Sequence, residues 1–167
     1  SLDDVDPFDE APEIGATFEE NALAKARDGF AATGLPTLAD DSGLEVRALG
    51  GEPGVFSARY AGENGNDGGN VTKLLARLSG IEDRRARFVC VIAVATPTGL
   101  IGTAEGTVEG CIIHERRGQG GFGYDPVFVP TGHERTFAEL PGSLKNTMSH
   151  RRNALVAAVK NGLFAAS

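Results

Sequence analysis

Between Arg85 and Thr96 the chain runs Ala86-Arg87-Phe88-Val89-Cys90-Val91-Ile92-Ala93-Val94-Ala95, apolar at both alternating positions. Such a strand is buried on both faces, so other elements must cover it from each side. The run is far too short for a bilayer span, which takes roughly 20 apolar residues. Three helices are legible. Thr17 and Glu20 form a capping-box signal, and Phe18, Ala22, Ala26 and Phe30 follow at four-residue steps. That pattern predicts a helix over 18–32, stopped by Thr33-Gly34 and Pro36. A last helix begins at Ser149 and runs through Leu155, Val156 and Val159 to Asn161-Gly162. Another, from about Asn70, turns Val71, Leu74, Leu75 and Leu78 inward and ends at Gly80.

Short strands are predicted at 37–39 and 44–49, separated by a turn at Asp40-Asp41-Ser42-Gly43, and at 127–129. Pro97-Thr98-Gly99 turns the central strand into an antiparallel neighbour from Leu100, with Gly106 and Gly110 as bulge sites. Residues 62–69, rich in Gly, Asn and Asp, read as an exposed loop. At 167 residues, 41% hydrophobic and 23% charged, the chain fits one soluble domain over 1–167: α/β, with a mixed sheet and flanking helices.

The net charge of -7 argues against a general nucleic-acid or anionic-membrane binder. Acids crowd the start of the chain, and bases recur at Arg116, Arg117, Lys145, His150, Arg151 and Arg152. Facing each other across a cleft, the two sets would suit a polyanion carried with a divalent cation. The acidic start lacks signal-peptide features, and Cys90 and Cys111 in apolar segments read as buried free thiols of a reducing cytoplasm.

Four groups of residues can carry chemistry. Asp40 and Asp41 are adjacent acids at a strand end, where a cation would compensate their repulsion; an ordinary polar turn is the alternative. With Glu13 nearby, such oxygen ligands suit Mg²⁺ rather than Zn²⁺, whereas Glu20 is accounted for as a cap. Gly120-Gly121-Phe122-Gly123-Tyr124-Asp125-Pro126 is either a loop that approaches a ligand, with Phe122 as a stacking face, or a tight turn with both aromatics in the core. Lys145 and Ser149-His150-Arg151-Arg152 form an anion site or a solvated helix start, with His150 kept neutral by its arginine neighbours. Arg116-Arg117 is a phosphate clamp or a solvated turn. Neither a Walker-type phosphate loop nor a nucleophile with a convincing base partner is present.

Taken in order, five segments resemble the inosine triphosphate pyrophosphatase family. They are Thr17-Phe18-Glu19-Glu20-Asn21-Ala22 with Lys25-Ala26-Arg27, and Ala39-Asp40-Asp41-Ser42-Gly43-Leu44. Pro53-Gly54-Val55-Phe56-Ser57-Ala58-Arg59-Tyr60, Gly121-Phe122-Gly123-Tyr124-Asp125-Pro126, and Lys145 through Ser149-His150-Arg151 complete the set. The resemblance implies two lobes around a central cleft and a cytoplasmic homodimer that removes deaminated purine nucleoside triphosphates. The products are a monophosphate and pyrophosphate, and the cofactor is Mg²⁺. It also implies roles: Asp41 as general base and metal ligand, Glu13 as second ligand, Ser42 as a substrate contact, and Phe122 stacked on the purine. Gly123, Tyr124 and Asp125 would line the base pocket, and Lys145, His150 and Arg151 would donate toward the 6-keto oxygen. Two departures stand out. The family's opening strand and Ser/Thr-Gly-Asn-x-x-Lys loop have no counterpart, so the chain is expected to be incomplete at its start. Glu115-Arg116-Arg117-Gly118 stands where the family has Pro-Arg-Gly, with Arg117 on the phosphate side. The rival readings are a house-cleaning pyrophosphatase for other modified nucleotides and a nucleotide-binding fragment without catalysis.

Overall fold

The structure, a computed structural model, describes residues 14–164. Four strands, β1 (Thr37–Val46), β2 (Arg85–Thr96), β3 (Gly99–Ile112) and β4 (Phe128–Pro130), lie in that order in one sheet. Four helices accompany them: α1 (Phe18–Thr33), α2 (Asp67–Arg77), α3 (Gly142–Met148) and α4 (His150–Lys160). The class is α/β with helices flanking a sheet; where a mixed sheet was expected, every pairing among the described residues is antiparallel.

The double-sided strand is covered as its sequence requires. Val89, Val91, Ala93 and Ala95 of β2 pack on Phe18, Ala22 and Ala26 of α1. Cys90, Ile92 and Val94 pack on Ala154 and Ala158 of α4. Further along the sheet a second core gathers Leu44, Phe88 and Ile112 with Leu74 and Leu78 around α2, and with Phe128. The Phe88 and Phe128 rings meet there edge to face at 4.7 Å. Among the described residues no helix is long and apolar enough to cross a membrane.

Several expectations are corrected. The predicted turn at Asp40-Asp41-Ser42-Gly43 is extended backbone inside the single strand β1. Gly43 has no positive φ. A Cβ on it would stand 2.4 Å from Ser57 Oγ and 2.6 Å from Gly54 O, so close approach, not turning, calls for glycine here. Residues 47–49 form a 3-10 turn instead of continuing the strand. Helix α2 starts at Asp67 because the Asn66 side chain accepts from Gly69 N–H, and this takes the end of the predicted loop into the helix. Neither Gly106 nor Gly110 is a bulge; the register shifts at Val94/Ala95 instead. At Gly106 the α4 backbone lies so near that a Cβ would sit 2.0 Å from Ala154 N. Cys111 is exposed, while Cys90 is buried. Thr17 caps α1, accepting from Glu20 N–H at 3.1 Å, and Glu20 reaches back one residue beyond the cap to accept from Ala16 N–H at 2.7 Å.

Candidate active site

Because side chains alternate along β1, Asp40 and Asp41 project to opposite faces of the sheet. Asp41, paired in register with Val91, faces α1. It is only 6% exposed. Asn21 Nδ2 donates to its Oδ2 at 3.1 Å, and Lys25 Nζ lies 3.0 Å from its Oδ1. Asn21 and Lys25 are one turn apart on α1, so a single helix face supplies both. The two carboxylates thus do not crowd one another, and the repulsion expected of adjacent acids is relieved by the pleat of the strand.

Asp40 and Ser42 face the other way, beside Cys90 and the start of α4. Arg151 Nε–H donates to Asp40 Oδ2 at 3.2 Å, and Arg151 Nη2 lies 3.0 Å from Ser42 Oγ. Ser149 caps α4 by accepting from Arg152 N–H at 3.2 Å, which places His150 and Arg151 in the first turn. His150 stacks on Phe88 with centroids 5.0 Å apart and rings 13° from parallel. Burial first, then the Arg151 and Lys145 charges, lower its pKa from 6.5 to about 4, with Asp40 opposing. The imidazole is therefore neutral near pH 7, as the sequence suggests, but burial is the leading cause and the neighbouring cations come second. Its Nδ1 is buried and has no hydrogen-bond partner in the structure.

The glycine-rich loop divides its two aromatics between the two readings that its sequence allows. Tyr124 is a core residue whose hydroxyl donates to Ser57 O at 2.9 Å. Phe122 is 61% exposed. Asp125, buried, accepts from Phe122 N–H at 2.9 Å and is ion-paired to Lys145. Gly121 is obligatory: its φ is +76°, and a Cβ would stand 2.0 Å from Asp125 Oδ2. Lys145 Nζ lies 4.6 Å and Arg151 Cζ 5.8 Å from the Phe122 centroid, so two cations attend one exposed ring. A cavity of about 180 Å³ opens here, lined by Ser42, Phe88, Phe122, Tyr124, His150 and Arg151, among others.

Of the expected site residues, Ser42, Phe122, Gly123, Tyr124, Asp125, His150 and Arg151 thus converge on one cavity, and Lys145 stands beside it. Asp41 projects from the opposite face of β1 to Ser42, the face on which Gly43 meets Ser57 at the cavity's edge, and Glu13 falls outside the described residues. Arg117 donates to Glu134 O at 2.8 Å, whereas Arg116 reaches Gly68 O and Thr72 Oγ1 and borders a neighbouring space beside Phe122. Three residues acquire contacts that the sequence reading did not assign. Asn21 and Lys25 hold Asp41, and Asp67 Oδ2 accepts from Gly123 N–H at 2.7 Å, pinning the loop to the start of α2. The polar intrusions of Asn21 and Lys25 beside the Phe18–Ala22–Ala26 stripe were the available signal for the first pair.

This arrangement has close relatives. The chain matches the Ham1 family over residues 1–161. It belongs to that family. A dITP/XTP pyrophosphatase of Nocardia farcinica is 56% identical over 156 residues, covering 92% of this chain and 76% of its own. One from Desulfotalea psychrophila is 52% identical over 155 residues, with coverages of 93% and 70%. Among solved structures, a nucleoside-triphosphatase / dITP/XTP pyrophosphatase of Mycobacterium abscessus superposes with TM-score 0.81 at 52% identity, covering 93% of this chain and 81% of that one. The Ham1 protein of Staphylococcus aureus gives 0.86 at 48% identity, with coverages of 93% and 82%. The family expected from the five motifs is therefore the family found.

Proposed function

We propose that this chain hydrolyses deaminated purine nucleoside triphosphates of the dITP and XTP kind to the monophosphate and pyrophosphate, clearing them from the nucleotide pool. The observation that carries this reading is the exposed Phe122 ring flanked by Lys145 and Arg151 at a cavity bordered by neutral, buried His150. An aromatic face accepts a purine by stacking, and fixed donors around it favour a base with a 6-keto acceptor. Adenine has an amino group at that position and leaves those donors unpaired, a mismatch that costs several powers of ten where a site is built to hydrogen-bond.

On the other face, Asp41 orients and deprotonates the attacking water near the α–β phosphate linkage, with Lys25 and Asn21 fixing its carboxylate. Mg²⁺ is the ion in this reading, and the buried Asp41 carboxylate, the described member of the expected pair, is the kind of oxygen ligand that supports it. This ion takes oxygen ligands and is commonly held by one or two carboxylates together with phosphate oxygens and water. No cluster of three or more metal-ligating side chains occurs among the described residues, and such a partly protein-bound ion needs none. Asp41 and Glu13 would hold it, and bound there it would offset the negative charge of the phosphates. The same reading includes a homodimer acting in the cytoplasm.

A pyrophosphate-release assay on inosine, xanthosine, guanosine, adenosine and methylated pyrimidine triphosphates tests the reading. Asp41→Asn and chelation of Mg²⁺ should each abolish turnover of inosine triphosphate, while the variant keeps its circular dichroism spectrum. Normal turnover by Asp41→Asn would remove Asp41 as the base. Binding of nucleotide without pyrophosphate release by the unmodified chain would leave a binding protein in place of an enzyme.

A further inference from the structure

We propose that Asp40 is a positioning residue for base discrimination, holding the Arg151 guanidinium in the one orientation that presents its remaining donors to the Phe122 side of the cavity. The inference rests on the reading that Arg151 faces the base. Arginine carries five N–H donors in a rigid fork. Here Nε–H is directed to Asp40 Oδ2 at 3.2 Å and Nη2 to Ser42 Oγ at 3.0 Å, so one edge of the fork is committed to β1. The guanidinium carbon lies 5.8 Å from the Phe122 centroid, which leaves the other donors beside the stacking face.

Asp40 is itself fixed. Its Oδ2 also lies 3.5 Å from Ser42 Oγ and 3.6 Å from Cys90 Sγ, and the register pairs Ser42 with Cys90 across β1 and β2. The Cys90 thiol, with its pKa pushed up to about 12 by burial and by the Asp40 charge, stays protonated and donates toward the Asp40 carboxylate. The anchor therefore sits on a rigid strand, whereas Arg151 is a long side chain at the start of a helix. Stability does not explain the pair: both side chains are well exposed, at 46% and 36%, and exposed ion pairs add little to folding. What the pair supplies is direction. This geometry also separates the two adjacent acids by task, with Asp41 serving the phosphate side and Asp40 the base side.

The test measures kcat and KM for inosine and adenosine triphosphates with Asp40→Asn, Arg151→Gln and the double variant, alongside thermal unfolding. Asp40→Asn should raise KM for inosine triphosphate about tenfold, with kcat within about twofold, in line with the loss of one charge-assisted hydrogen bond. The preference for inosine over adenosine should fall in proportion. The double variant should be no worse than Arg151→Gln, because Asp40 acts through Arg151. If Asp40→Asn lowers the unfolding temperature, Asp40→Glu, which keeps the charge, must restore the preference. Loss of preference in Arg151→Gln but not in Asp40→Asn overturns the positioning role and leaves the function standing. An equal fall in kcat on both substrates also overturns it. No change in preference from either variant removes the assignment of Arg151 to the base, and the proposal with it.

Discussion

Asn21 has two obligations. It is 2% exposed, its Oδ1 accepts from Gly15 N–H at 2.8 Å, and its Nδ2 donates to Asp41. Asn21→Ala strands the Gly15 N–H and withdraws a donor from a buried carboxylate. The expected cost is about 1–3 kcal/mol of stability, with a fall in turnover because Asp41 is less well held. Thermal unfolding and pyrophosphate release on the same preparation check both parts; unchanged turnover would mean that Lys25 alone suffices to hold the carboxylate. Individual residue chemistry was legible from the sequence where the signal is local, as in the caps at Thr17 and Ser149, whereas the exposure of Phe122 was one of two readings its loop allows. The role of Asn21 is not legible there, because its partner stands twenty positions away and only the packing of α1 on β1 joins them.

At the scale of elements, the position of α4 decides where His150 and Arg151 stand at the cavity. Gly106 of β3 lets the helix backbone approach, with a Cβ there meeting Ala154 N at 2.0 Å and His150 O at 2.4 Å. These are backbone atoms and cannot rotate away, so Gly106→Ala must push α4 outward, carrying His150 and Arg151 with it. The expected result is a fall in Tm of roughly 5–10 °C together with weakened inosine preference. A variant with wild-type Tm and preference would show that the helix adjusts locally. Helices 18–32 and 149 onward were readable because capping and periodicity are local signals. The continuity of β1 was not, since Asp, Ser and Gly favour turns; the strand is imposed from outside, by pairing with β2 and by the pressure of Ser57 and Gly54 on Gly43.

At the scale of the whole molecule, the buried neutral His150 couples folding to pH. Its folded pKa of about 4 lies below the ordinary value of 6.5, so between these values the unfolded chain binds a proton that the folded chain does not. Stability from this group is complete above about pH 6.5 and is lost as pH falls toward 4, up to about 3 kcal/mol. Asn at this position does not titrate, so His150→Asn should flatten that part of the stability curve even if it lowers the whole curve. Equal slopes for both proteins between pH 6.5 and 4 would exclude His150 as the source. The α/β class and the double-sided cover of β2 were legible from apolar patterning. The arrangement of the second core was not, because its members come from β1, Tyr60, α2, β2, β3 and the segment from Tyr124 to Phe137, far apart along the chain.

The two faces of β1 also bear on how such a chain can change over time. The strand has a side-chain period of two, so a single inserted or deleted residue ahead of Asp40 would transpose the acids, sending each carboxylate to the other's compartment. Substitutions can retune either compartment separately, one residue at a time. Length changes in this strand cannot, since every shift by one exchanges the Asn21–Lys25 and Arg151 partners of the two acids together. Changes of length in the connecting loops leave that register in place, and with it both sets of partners.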